Sequence, residues 1–159
     1  MVNQKYYKDI KAFPSQFQKG IDLAKNIKLS GSFDRVIVCG MGGSAFYVEL
    51  INDYLKSKRI NFTLEANRNY NIPHNVNEKT LFVIASYSGN TEETLEALAQ
   101  IQSKGYSHIL LTSGGRLLDI ANATKVPVLE VPTGIQPRLS SGYFISGLIK
   151  ILSNLGFIE

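Results

Sequence analysis

LFVIASYSGNTEETLEAL, residues 81–98, sets an apolar run against a hydroxyl-rich turn and an acidic helix start. Leu81, Phe82, Val83 and Ile84 do not alternate with polar residues, as expected for a strand covered on both faces. Glu92 and Glu93 then open a helical stretch reaching Lys104, where acidic groups suit the positive end of the helix dipole. A covered strand that runs through a glycine turn into a helix is the repeating unit of an α/β fold.

The same unit recurs along the chain. Val36–Cys39, Phe62–Ala66, His108–Thr112 and Val128–Val131 read as further strands. Ala45–Lys58, Leu117–Thr124 and Pro137–Leu155 read as helices. Such alternation requires right-handed crossovers, which predicts a three-layer α/β/α sandwich on a five-stranded parallel sheet of flavodoxin-like form. Residues 1–30 stand apart: Phe17, Ile21, Leu23, Ala24 and Ile27 recur at helical spacing, and Ser30, Gly31 and Ser32 break the chain before the first strand. The expected organisation is a helical arm over 1–30 and a ligand-binding domain over 31–159.

With 159 residues and 44% hydrophobic composition, the chain can build a core without disulfides or metal. The single cysteine, Cys39, lies inside an apolar run and reads as a buried thiol in a reducing compartment. MVNQKYYKDIKAF carries no apolar signal core, and no segment reaches the ~18 apolar residues of a membrane span. The expectation is a cytoplasmic protein off the membrane. The net charge of +4 comes with no aromatic-interleaved basic motif, so nucleic acid is not an expected partner. His74 and His108 have no ligand-spaced neighbours, so no metal or cofactor is expected.

In open parallel sheets, ligands bind beyond the carboxyl ends of the strands. The loops that leave these ends are GMGGSA (40–45), SYSGNT (86–91), TSGGR (112–116) and PTGIQPR (132–138). Hydroxyls and free N–H groups at a helix start suit a compact anion such as phosphate. Gly89 permits a tight turn, Ser86 and Ser88 can donate to phosphate oxygens, and Thr91 can either cap the helix or face the ligand. Gly43 and Ser44 offer the same chemistry after the first strand. Pro137 suits a first helical position, which puts Arg138 in a first turn where a cation opposes the dipole. Arg138 is therefore expected either to face a phosphate or developing oxyanion, or to pair with Glu130 or Asp119. Gly40, Gly42 and Ala45 also fit the G-x-G-x-x-A dinucleotide fingerprint, with Glu65 as the ribose-binding acid. No G-x-x-x-x-G-K-[ST] loop is present.

GMGGSA, ANRNYNIP (66–73), SYSGNTEETLEAL (86–98), LTSGG (111–115) and GIQPRLSSGY (134–143) together resemble the sugar isomerase (SIS) domain family, most closely the N-terminal half of bifunctional phosphoglucose/phosphomannose isomerases. The resemblance implies binding of a hexose 6-phosphate by Gly43, Ser44, Ser86, Ser88 and Thr91, with Arg138 near an enediol intermediate. It also implies a second such domain carrying a catalytic glutamate, together with a histidine and a lysine. Aldose–ketose isomerisation needs a base to move a proton between C1 and C2. Glu49, Glu92, Glu93 and Glu130 offer no evident candidate, so the base is expected from a second domain or partner. FISGLIKILSNLGFI, 144–158, is apolar on almost every face and is the expected docking site for a second SIS domain or a second copy in a homodimer.

Overall fold

A computed structural model describes residues 4–158. All five strands form one parallel sheet in the order β2-β1-β3-β4-β5. They are β1 (Arg35–Gly40), β2 (Leu64–Asn67), β3 (Thr80–Ser86), β4 (His108–Thr112) and β5 (Val128–Glu130). The helices are α1 (Gln4–Ala24), α2 (Tyr47–Ser57), α3 (Glu92–Ser103), α4 (Gly115–Thr124) and α5 (Ser141–Asn154). The three-layer flavodoxin-like sandwich expected from the strand and helix alternation is what forms.

The strands lack polar alternation because each face of the sheet feeds its own core. Val36, Val38, Leu81, Val83, Ala85, Ile109 and Leu111 pack with residues of α2 and α5. Ile37, Cys39, Phe82, Ile84 and Leu110 point the other way, onto Ala97, Leu98 and Ile101 of α3 and Leu117 and Ala121 of α4. Both sets are essentially inaccessible to solvent, which makes hydrophobic burial the main favourable term for this fold. The chain runs outward from β1 to β2, recrosses to β3, and then proceeds the other way. Winding therefore reverses between β1 and β3, and the loops leaving those two strands diverge around a crevice.

The arm packs on α5 through few of its apolar residues. Phe17, Ile21 and Leu23 are 38%, 37% and 44% exposed, and the buried face of α1 is Gln16, Gly20 and Ala24. The reason lies in α5, which presents small residues. A Cβ at Gly20 would stand 2.1 Å from Ser146 Oγ, and one at Gly142 would stand 2.9 Å from Gln16 Cβ. Close backbone approach leaves no room for large side chains between the two helices. Asn154 Nδ2 fastens the far end of α1 by donating to the carbonyls of Ala24 and Ile27 at 3.1 and 3.0 Å.

This packing also revises the expectation for the C-terminal helix. Phe144, Leu148, Ile151 and Leu152 are buried against the sheet side, Gly147 lies close over Leu129 of β5, and Gly142 and Ser146 lie under α1. Most of the apolar surface of α5 is thus covered within the chain. The long helix expected from Pro137 is also divided. Pro137–Leu139 is a separate 3₁₀ turn, and at its junction with α5 Ser140 and Ser141 return their hydroxyls to the carbonyls of Pro137 and Arg138, at 2.7 and 3.2 Å. Among the described residues no helix is long and apolar enough to cross a membrane.

Candidate functional site

The corner after β3 is a cluster of hydroxyls around a left-handed glycine. Gly89, at φ +69°, donates its N–H to both the carbonyl and the Oγ of Ser86, each at 3.1 Å. Ser86 is buried, and its Oγ lies 2.8 Å from Thr91 Oγ1 and 3.4 Å from Ser88 Oγ. Thr91 occupies the N-cap position of α3 yet makes no side-chain cap bond. Of the two roles open to it from the sequence, its hydroxyl joins the Ser86 cluster. Three rotatable O–H groups beside the unpaired N–H groups of a helix start can all turn toward an anion.

The corner after β1 lies flush against this one. Gly40 is in register with Ala85, and a Cβ on Gly40 would sit 2.8 Å from the Ala85 carbonyl and 2.9 Å from that of Ser44. Gly42–Ser44 forms a 3₁₀ turn, closed by Ser44 N–H donating to Met41 at 2.9 Å. The turn precedes the helix expected over Ala45–Lys58, and α2 itself begins at Tyr47. Ser44 is half-buried and Gly43 exposed. A Cβ on Gly43 would be 3.9 Å from Arg138 Cα, which joins the loop after β5 to the same end of the sheet. Arg138 is exposed and its guanidinium makes no hydrogen bond or ion pair among the described residues, so neither Glu130 nor Asp119 holds it. It stands on the short turn before α5, so the expected place in the first turn of a long helix does not apply.

A curated bifunctional phosphoglucose/phosphomannose isomerase from Caldicellulosiruptor bescii is 36% identical over 156 residues, 96% of this chain and 46% of the relative. The chain belongs to the sugar isomerase (SIS) domain family. It spans about half the length of the curated relatives it matches. A D-glucosamine-6-phosphate 4-epimerase from Sulfolobus acidocaldarius is also 36% identical, over 121 residues, covering 76% of this chain and 38% of that protein. Among solved structures, the C-terminal domain of glucosamine-fructose-6-phosphate aminotransferase from Francisella tularensis shares the fold at 14% identity and a TM-score of 0.68, covering 96% of this chain and 48% of that one. No protein-family model matches the chain.

In this SIS domain the TSGGR loop is a brace, which the sequence did not reveal. The Thr112 hydroxyl donates to the Gly114 carbonyl at 2.8 Å, and buried Ser113 donates its Oγ and N–H to the Tyr87 carbonyl at 2.7 and 3.0 Å. Leu117 N–H reaches the Gly89 carbonyl at 3.1 Å, and Arg116 N–H reaches Asn90 Oδ1 at 3.1 Å. The two loops touch through glycines: a Cβ at Gly89 would be 1.8 Å from the Gly114 carbonyl oxygen, and one at Gly115 would be 2.2 Å from that of Ser88. The paired glycines of TSGG were the available signal for this contact.

Two of the carboxylates weighed from the sequence are engaged by arginines. Glu49 is ion-paired with Arg68, and that hydrogen bond holds its carboxyl below the ordinary range. Glu65 receives two bonds of 2.5 Å from Arg35, so the acid that a dinucleotide ribose would need already has a partner. Glu92 and Glu93 stand at the start of α3, and their charges raise the Tyr70 phenol, with Glu93 the larger influence. His108 Nδ1 lies 2.8 Å from the Tyr106 carbonyl. No group of three or more potential metal ligands occurs among the described residues.

Proposed function

We propose that this SIS domain binds a hexose 6-phosphate as the phosphate-holding half of a phosphoglucose/phosphomannose isomerase, interconverting glucose 6-phosphate or mannose 6-phosphate with fructose 6-phosphate through an enediol. The observation that carries this reading is the Ser86–Ser88–Thr91 cluster, open to an anion at the start of α3 and adjoining the glycine turn after β1. Ser86, Ser88, Thr91 and Ser44 donate hydroxyls to the phosphate, and Gly43 adds a backbone N–H. Arg138, whose guanidinium has no partner among the described residues, lies in this reading near C1 and C2, where its charge stabilises the enediolate oxygen.

A base removes the C2 proton of the aldose and returns it at C1, while the carbonyl oxygen gains a proton and the C2 hydroxyl loses one. Among the described residues Glu49 is paired with Arg68 and Glu65 with Arg35, and in this reading the base comes from a second SIS domain or a second copy. In this reading residues 1–30 are an arm bracing the binding domain of 31–159, and the protein works in the cytoplasm.

The test is calorimetric titration of the chain with fructose 6-phosphate, followed by deuterium exchange at C2 of glucose 6-phosphate in heavy water. Saturable binding without exchange fits the half-site reading, and exchange restored by a longer isomerase-like product completes it. Binding that no second domain converts into exchange points instead to a non-catalytic regulatory module. Saturable binding of a nicotinamide dinucleotide, with indifference to sugar phosphates, refutes the proposal.

A further inference from the structure

We infer that Tyr87 is a positioning residue that sets the placement of Arg138. The inference rests on the sugar-phosphate reading above. Tyr87 follows Ser86 directly but turns away from the hydroxyl cluster, into the core that contains Phe144, with ring centroids 6.5 Å apart. Its hydroxyl donates to the Pro132 carbonyl at 3.0 Å and accepts the Ile135 N–H at 3.0 Å. One atom thereby clasps both sides of the Thr133–Gly134 turn, where Gly134 sits at φ +80°.

Among the described residues, these are the only hydrogen bonds made by Pro132, Thr133, Gly134 or Ile135. Beyond the turn, the 3₁₀ segment that carries Arg138 is anchored at its far side by Gln16 Nε2, which donates to the Leu139 carbonyl at 2.6 Å. The arginine thus rides on a segment held at its junction with α5 by Ser140 and Ser141, from α1 by Gln16, and toward β3 by Tyr87. The Tyr87 carbonyl is itself bound twice by Ser113. The phosphate corner and the Arg138 loop are therefore referenced to a single residue, which fixes the spacing between a bound phosphate and the guanidinium.

The test compares Y87F, R138A and the double variant of the full chain. Three ligands are titrated: inorganic phosphate, fructose 6-phosphate, and the hydroxamic acid of a five-carbon sugar phosphate as a planar anionic mimic of the enediolate. Y87F is expected to weaken the mimic roughly tenfold while inorganic phosphate changes less than about twofold, because the loss is one of placement. R138A should weaken the mimic at least as much, and the double variant should be no weaker than R138A, since residues acting through one another are non-additive. Additive losses, or a Y87F chain that holds the mimic as the parent does, overturn the inference. A parent chain that binds none of the three ligands overturns the sugar-phosphate reading and the positioning role with it. A readout independent of variant folding is amide exchange in the parent, where Ile135 should exchange more slowly than Thr133 and Gly134. Equal rates refute the clasp whatever the ligands do.

Discussion

Replacing Gly89 with alanine tests whether the interlock between the β3 and β4 loops is as tight as the geometry requires. Gly105 provides the control, because its φ of +70° matches the +69° of Gly89 while a Cβ there would meet nothing within 4 Å. Both substitutions impose left-handed strain on an alanine, about 1 kcal/mol. Only G89A adds a Cβ 1.8 Å from the Gly114 carbonyl oxygen and 2.9 Å from Thr112 Oγ1. The carbonyl must retreat by more than an ångström, and the bond from Leu117 N–H to Gly89 moves with it. Overpacking of this kind costs about 1–3 kcal/mol, so G89A should lose about 2 kcal/mol more stability than G105A. Urea unfolding followed by circular dichroism measures both, with G89A alone also losing sugar-phosphate affinity. Equal stability losses within about 0.5 kcal/mol would show that strain accounts for everything and that the loops are not wedged together.

Other perturbations probe the remaining links. At Gly20, helix propensity favours alanine by about 1 kcal/mol, but the new Cβ would lie 2.8 Å from the Tyr143 carbonyl. G20A should therefore lower the urea midpoint, and a rise would refute the close α1–α5 packing. Burial pushes the Cys39 thiol up to about 11, so iodoacetamide at pH 8 should leave the native chain unmodified and label it only in urea, as read by mass spectrometry. Glu49, held low by Arg68, contributes stability above its unfolded carboxylate pKa that is lost as pH falls through the lower folded value. Both side chains are about half exposed, so R68A should cost no more than about 0.5 kcal/mol at pH 7, and the difference from the parent should vanish in acid.

The sheet was legible in the sequence because strands covered on both faces lose polar alternation, and each apolar run from Val36 to Val131 marked one. The β3 corner was equally legible, since Ser86, Ser88, Gly89 and Thr91 are adjacent in the chain and their cluster is local. What escaped depends on distant partners. Of the residues at helical spacing in α1, Ala24 is buried but Phe17, Ile21 and Leu23 are not, because the small residues of α5 select Gln16 and Gly20 beside it. The hydroxyls of Thr112 and Ser113 look like those of Ser86 and Ser88, yet they are consumed within and between loops. Tyr87 carried no signal because its partners lie 45 and 48 residues away.

The bond from Gln16 to the Leu139 carbonyl joins groups 123 residues apart. During synthesis the β3 corner can fold long before the Arg138 segment leaves the ribosome, and the glutamine waits until nearly the whole chain has emerged. Nascent chains halted at the end of β5 should therefore already contain the hydroxyl corner while lacking the turn that carries Arg138.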